Sequence, residues 1–388
     1  MIYIFTLFVC MFCLIYFDIF NKKHKWAVAY KGLLIWFIAI SALQYKMGTD
    51  MEAYMAWYKD LNTNNWSFSN LINDNKQYQP GWVALGYLCR FITDDFLLLK
   101  IIQSIFVNIA VFSFFKRETR YVFVSILLYG LMSYLVINFN LLRQSIALGF
   151  ALYGFTYLRL KQYKKYYVFV LLAYLFHNSA IILIPLPIFA LFNYTKKNTT
   201  ILFSIFILIV CSLYFLNIED LFFNILSSGF LGDNIAGSGL AYMSRDRLGA
   251  QSSFSVFSIQ RIIMIVSVVY YMRKYNDTYY GAFGLIYIFL QILTGFLPIL
   301  WRFRLYFDFS YYIILSQIIV EYPKSKKKIS SMVLSIILIL VFFFPLREYM
   351  THVENSQYRN IDQYYPYHSI FDKEHDVKKQ HFFDSLTL

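Results

Sequence analysis

Charge is the first thing this chain has little of. Only 15% of its residues are Asp, Glu, Lys or Arg, against about 25% in a soluble domain. With so few solvating side chains and 59% hydrophobic residues, most of the surface cannot face water, which excludes an ordinary soluble globule. Acid is scarcer than base, 22 residues against 35, for a formal charge of +13. That imbalance invites a nucleic-acid partner, but the bases form no patch or stripe. They sit in short loops between apolar blocks, the pattern of cytoplasmic loops in membrane proteins, so nucleic acid is not an expected partner. Cysteine is also rare. Cys10, Cys13, Cys89 and Cys211 all lie inside apolar blocks. The CxxC spacing of Cys10 and Cys13 has no second pair and no nearby histidine, so small lipid-soluble side chains explain it better than a metal or redox centre.

Catalytic motifs are missing as well. The chain has no GxxxxGK[ST], which excludes a P-loop ATPase, and no DxD pair to hold a divalent metal and a nucleotide sugar. It has no GxSxG elbow and no HExxH zinc helix. No metal or other cofactor is expected. Met1–Phe17 lacks a basic leading region and a small-residue cleavage site, so it reads as a retained span rather than a signal peptide.

What is present in quantity is apolar sequence, in blocks of roughly the length that crosses a bilayer core. Twelve spans are predicted: about 2–19, 28–46, 96–115, 120–137, 141–159, 164–178, 179–194, 199–216, 257–273, 279–299, 305–321 and 329–346. All should be helical, because lipid leaves backbone groups no partner except within the segment. The fold class is therefore all-α, a polytopic membrane bundle of about twelve transmembrane helices. The pair at 164–194 reads either as a bent hairpin or as one long tilted helix, with Pro185 and Pro187 in its second half.

The basic loops set the orientation. Lys22-Lys23-His24-Lys25, Lys116-Arg117, Arg159 through Lys165, Lys196-Lys197, Arg273-Lys274 and Lys324 through Lys328 should all be cytoplasmic. Alternating spans satisfy all six only if residues 80–93 do not cross, so that segment reads as an interfacial or re-entrant helix on the outer face. Residues 1–346 then form one transmembrane domain, with outer-face loops at about 47–95 and 217–256. Residues 347–388 form a polar tail on the same side. The tail holds four of the six histidines, His352, His368, His375 and His381, at spacings that suit a solvated tail better than a metal site. The 217–256 loop is rich in Gly and Ser, which suits a substrate gate.

The polar residues that look chemical all fall on that outer side. Asn140-Leu-Leu-Arg143-Gln144-Ser145 opens a span. An arginine there is costly and reads as functional by default, a cation offered to an anion such as phosphate near the positive end of a helix dipole. Reaching for lipid headgroups is the ordinary alternative. Gly48-Thr49-Asp50, with Tyr54 behind it, offers a carboxylate that serves either as a general base or as a helix cap. His177-Asn178-Ser179 interrupts an apolar run; its imidazole reads as a proton carrier or phosphate contact. Arg302 and Arg304 flank Phe303 at a span end, and Arg245 and Arg247 lie in the Gly-rich loop. Several arginines on one side suit a diphosphate better than a single carboxylate; interfacial anchoring beside Trp301 and a solvated loop are the competing readings.

The order of these motifs carries a resemblance. Gly48-Thr49-Asp50 with Tyr54, then Asn140-Leu-Leu-Arg143-Gln144-Ser-Ile-Ala, then the basic loop ending Lys164-Lys165-Tyr166, then Ala173-Tyr-Leu-Phe-His177-Asn-Ser179-Ala, then Arg302 and Tyr306 resemble the EpsG family of Wzy-type bacterial polysaccharide polymerases, over roughly residues 1–320. The resemblance implies a membrane glycosyltransferase akin to the GT-C type, working without metal or nucleotide in the bacterial plasma (inner) membrane with its site on the outer, periplasmic side. It implies undecaprenyl-diphosphate-linked oligosaccharide as donor and acceptor, membrane lipid as surroundings, and a flippase and a chain-length regulator as partners. The product would be O-antigen, capsule or exopolysaccharide. Asp50, His177 and Arg143 would then be catalytic. Gln144, Asn140, Tyr54, Arg245, Arg247, Arg302 and Arg304 would bind diphosphate or sugar, and Tyr54, Tyr58, Trp66 and Trp82 could stack on sugar faces. An O-antigen ligase or lipid-linked acyltransferase is the alternative among enzymes, and a flippase or transporter of lipid-linked sugars the alternative outside them.

Overall fold

The computed structural model describes residues 2–62, 78–190, 254–275, 278–294, 300–321, 345–352 and 358–372, with a few isolated positions besides. Among these residues the chain is helical, with two isolated backbone bridges and no sheet. They divide into two compact units, Met1–Ile184 with Ile319–Leu388, and Pro185–Ile318.

The first unit is built from α1 (Ile2–Cys13, continued by a π-helical stretch Leu14–Ile19), α2 (Trp26–Ala42), α3 (Met51–Asp60), α4 (Pro80–Arg90), α5 (Leu97–Glu118), α6 (Val122–Met132, with a π-helical stretch Val136–Asn140 beyond it), α7 (Leu142–Arg159) and α8 (Tyr163–Phe176), then a 3-10 helix Asn178–Leu183. Ile2–Ile19 and Leu97–Glu118 are long and apolar enough to cross a bilayer, and α2 and α6 are apolar but shorter. The helices also face outward the way membrane helices do. On α1 the small and polar Thr6, Cys10 and Cys13 are buried, while Phe8 and Phe12 are 69% and 66% exposed. Large apolar side chains outside and small ones at the helix contacts are what lipid favours.

The turns of this unit sort into two ends. One end carries the basic loops at Lys22–Lys25, Lys116–Arg117 and Arg159–Lys165. Arg159 at the close of α7 pairs with Glu118 at the close of α5, 2.5 Å apart, and Lys116 lies over the rings of Trp26 and Tyr30. There the carboxylate of Asp18 accepts the Val124 amide at 2.8 Å, covering the open N-terminus of α6. The other end carries Gly48–Asp50, the start of α4, the break between α6 and α7, and His177. The predicted spans 2–19, 28–46, 96–115, 120–137, 141–159 and 164–178 each coincide with a helix here. Within residues 80–93, Pro80–Arg90 form an 11-residue helix, which rises only about 16 Å and is too short to cross. Of the two readings of 164–194, the hairpin is seen as far as Ile184: the chain breaks at His177, with φ −158° and ψ 128°, and returns along α8, so that Tyr166 and Tyr167 donate to the carbonyls of Leu183 and Ile184.

The second unit contains α9 (Leu186–Ala190), α10 (Phe254–Tyr275), α11 (Thr278–Leu293) and α12 (Trp301–Glu321), whose last turn belongs to the first unit. Gly284 brings α11 close to both neighbours, since a Cβ there would crowd Val268 and Ile314 at 2.8 Å. Tyr287 stacks on Tyr311 beside it, ring centres 4.6 Å apart. The predicted spans 257–273, 279–299 and 305–321 fall on α10 to α12. Those at 199–216 and 329–346, and the 217–256 loop, lie outside the described residues or almost wholly so.

Candidate functional site

Three separate stretches of sequence meet around Arg143. The α6–α7 break places it in the first turn of α7, half-buried. Its Nε donates to the Tyr54 hydroxyl at 3.2 Å and its Nη1 to Gln79 Oε1 at 2.8 Å. The guanidinium lies 4.5 Å from the ring centre of Tyr78 and 5.8 Å from that of Tyr54. A fork-shaped cation held by two directional bonds and stacked on a ring is fixed in orientation, which a lysine could not be. Behind it Tyr54 packs on Trp82, and Trp82 on Trp57. Trp82 is fully buried and Tyr58 nearly so, its hydroxyl donating to the Thr93 carbonyl at 2.8 Å. Trp82 packs between Tyr54 and Trp57, and Tyr58 packs on Phe96 with the Arg90 guanidinium over its ring. Trp66 lies outside the described residues.

Asp50 shares this neighbourhood. Burial pushes the phenols of Tyr54 and Tyr78 up from their ordinary range; Arg143 pulls both back down and Asp50 adds to the rise. Asp50 occupies the N-cap position of α3, yet its side chain makes no capping bond; its Oδ1 accepts the Thr49 hydroxyl at 3.2 Å. Gly48 seats this loop against the Arg143 motif. It has φ +93°, and a Cβ there would run into Asn140 Oδ1 and the Phe139 carbonyl, so only glycine fits.

Asn140 joins the site to the C-terminal segment. Its Nδ2 donates to Gln363 Oε1 and to the Tyr364 hydroxyl, both at 2.9 Å, and the Gly48 amide donates to the Gln363 carbonyl at 3.3 Å. Asn140 Oδ1 is buried with no partner among the described residues, an acceptor open to a ligand hydroxyl. Tyr364 is 1% exposed. Residues 358–372, expected as part of a solvated tail, instead pack onto the helix ends, because their aromatic side chains find apolar walls there.

His177 stands at the same end, just past the Leu175–Phe176 stretch that touches Gly81. Its Nδ1 accepts the Ser179 amide at 3.2 Å and lies 2.6 Å from the Ser179 hydroxyl. An Nδ1 used as an acceptor leaves the proton of the neutral ring on Nε2. The histidine thus caps the 3-10 helix with one nitrogen and has a donor on the other. His177→Asn separates the two roles, since asparagine caps equally well but has no donor at the Nε2 position. We expect the variant to keep its expression and melting temperature while activity falls by about tenfold; undiminished activity would leave only the cap.

Sequence reasoning missed a buried polar network one turn beneath this site. Lys100 of α5 is 2% exposed, and its ammonium donates to the Asn138 carbonyl at 2.5 Å and to Gln103 Oε1 at 2.8 Å. Gln103 donates onward to the Ser145 hydroxyl, which donates to the Leu142 carbonyl, both at 2.7 Å. Asn108 bridges Ser41 and Asn138, and Asn138 donates to Tyr129. The network ties α2, α5, α6 and α7 around the break that presents Asn140 and Arg143. A signal for it was there: Lys100, Gln103, Ser104 and Asn108 recur at the spacing of one helix face. Gln79 and Tyr78 carried no comparable signal, being two polar residues ahead of a proline.

Gln144 is buried beside Arg143 in α7. Arg302 and Arg304 belong to the second unit, where Arg304 donates to Gln291 Oε1 and lies 3.5 Å from the buried Asp308 carboxylate, and Arg302 packs against Trp301. Arg245 and Arg247 lie outside the described residues. Among the described residues no three His, Cys, Asp or Glu side chains gather where they could hold a metal ion.

Comparison with known proteins adds one finding. The EpsG family profile matches residues 30–369, which takes in the whole cluster from Gly48 to Tyr364. No curated protein and no solved structure matches the chain. With most of its length matched, and with its apolar helical build, the chain belongs to the EpsG family, a Wzy-like family of membrane polysaccharide polymerases.

Proposed function

We propose that this protein joins oligosaccharide repeat units carried on undecaprenyl diphosphate, at the outer face of the bacterial plasma membrane, into O-antigen, capsule or exopolysaccharide. The observation that carries the proposal is the fixed guanidinium of Arg143, with Asp50 acting on the same two tyrosines, at the end of the unit opposite the basic loops 22–25, 116–117 and 159–165. Basic loops belong in the cytoplasm, which supports an outward-facing site.

In the reaction a hydroxyl of the acceptor sugar attacks the anomeric carbon of the donor. The new C–O bond forms as the bond from that carbon to the phosphate oxygen breaks, and its electron pair leaves on the lipid diphosphate. Arg143 stabilises the charge that develops there, a role that preorganised cations fill well in a water-poor site. The acceptor's proton goes to Asp50, whose carboxylate is not spent on capping α3. His177, with its donor on Nε2, suits a phosphate contact better than a base. Asn140 Oδ1 accepts a sugar hydroxyl and orients it. Arg302, and Arg245 and Arg247 in the loop, are further diphosphate contacts in this scheme. A flippase supplies the units and a chain-length regulator sets how many are joined.

Deleting the gene tests the reading. The surface glycan should change from a ladder of lengths to a single repeat unit. Long chains left unattached on their lipid would point to a ligase, a full ladder with altered substituents to an acyltransferase, and repeat units trapped on the cytoplasmic side to a flippase.

A further inference from the structure

On the polymerase reading two lipid-linked substrates are held at once, with the Arg143 cluster taking the diphosphate of one. A cavity of about 600 Å³ opens in the same unit, within the size range of ligand pockets. Its walls are the motif-end turns of three helices, with Leu7 of α1, Phe37 of α2 and Leu131 of α6 among them, closed by the segment Pro345–Met350. The polar groups of these walls are already used: Thr6 donates to the Ile2 carbonyl at 2.8 Å and Tyr134 to the Phe37 carbonyl at 2.6 Å. What remains is an apolar surface.

Its rim is different. His352 and Arg359 face each other across an isolated antiparallel bridge. The Arg359 guanidinium contacts the Met350 sulfur at 3.7 Å and makes no ion pair among the described residues. Asp362, also on the rim, accepts the Arg359 backbone amide at 2.6 Å. Tyr349 lines the cavity too, and its hydroxyl is buried with no partner among the described residues. An apolar chamber with an unused donor and an unpaired arginine at its mouth fits an amphiphile with an anionic head.

The rim segment also touches the candidate site. Arg359, Ile361, Asp362 and Tyr365 line the cavity, while Gln363 and Tyr364, between them, bond Asn140. The ring of Tyr349 packs edge-on against Tyr364. The rim at Arg359 is thus continuous along the chain with the residues that hold Asn140 and Gly48.

We propose that this cavity seats the first isoprene units of the second lipid-linked substrate, with its diphosphate at Arg359 and Tyr349. The assignment rests on the polymerase reading, and the test separates the two. The purified full-length protein in nanodiscs is labelled with a polyprenyl diphosphate carrying a photoreactive group near the diphosphate, and the labelled peptides are mapped. Label is expected at two places, one lost in Arg143→Ala and one on the cavity wall lost in Gly130→Leu. Gly130 suits this use because a Cβ there meets only Phe37, at 3.5 and 3.7 Å, so a larger side chain grows into the cavity. Arg359→Gln is the second variant, expected to weaken cavity labelling at least tenfold and leave Arg143-dependent labelling intact. Arg143-dependent labelling with none on the cavity wall would overturn the cavity assignment and leave the polymerase reading standing, as would cavity label displaced equally by ordinary phospholipid. Label at neither place would count against both.

Discussion

Arg143→Ala is expected to leave cells with lipid-linked single units and no polymer. The guanidinium is held by Tyr54 and Gln79 and stacked on Tyr78, so it is already oriented when substrate arrives and loses little on meeting charge. Removing one such preorganised group costs roughly 10²–10³-fold in rate, enough to empty a ladder. Stability should change little, because the side chain is only half-buried and its partners are tyrosine and glutamine groups near the bundle end. Arg143→Lys sharpens the test. An ammonium keeps the charge but cannot bond Tyr54 and Gln79 at once in the same plane, nor lie flat on Tyr78. We expect it to recover less than a tenth of wild-type polymer, read as ladder intensity at matched protein level. A stably expressed Arg143→Ala that makes polymer of normal length would remove the arginine from the chemistry.

Much of this architecture was legible in the sequence because lipid enforces simple rules. Block length marked the helices, and the Lys and Arg runs marked one end of the bundle. The helix seen at Pro80–Arg90 was legible from the same charge logic, since a crossing there would have put basic loops on both sides. The site was half legible. Asp50, Tyr54, Asn140 and Arg143 each stood out as polar residues at a span edge, and the first unit brings them together. Gln79, Tyr78 and Tyr364 did not stand out, because what recruits them is shape: Gly48 lets a loop press on Asn140, and a C-terminal segment that reads as polar carries the aromatic residues that close over it. No local pattern encodes a contact between Asn140 and Gln363, 223 positions apart. Lys100 was missed for another reason. A lone lysine near the start of a span passes for an interfacial residue reaching toward water, whereas here its head turns inward.

That inward turn makes Lys100 the most informative target outside the Arg143 cluster. A lysine with 2% exposure among apolar helices is costly to keep, and such residues in membrane proteins default to a functional reading. Two substitutions divide its roles. Lys100→Ala empties a volume of several methylenes, which costs about 2–5 kcal/mol in comparable large-to-alanine changes, and should lower the melting temperature in detergent. Lys100→Met keeps the volume and removes only the ammonium. The Asn138 carbonyl then loses its lysine donor, at about 1–3 kcal/mol, while Gln103 Oε1 keeps the Ser104 hydroxyl at 3.3 Å. Against this, a strongly polar head no longer has to be held out of water, and apolar replacement of buried polar groups at equal volume is often close to neutral. Lys100→Met should therefore fold and melt near wild type. Its polymer output should still fall by at least tenfold. The bond to the Asn138 carbonyl fixes the π-helical break, and the chain through Gln103 and Ser145 fixes the Leu142 carbonyl in the turn that carries Arg143. A loss of rate without a loss of stability is the signature of a positioning residue; a Lys100→Met protein with a full ladder and an unchanged melting temperature would show that the break holds its shape without the lysine.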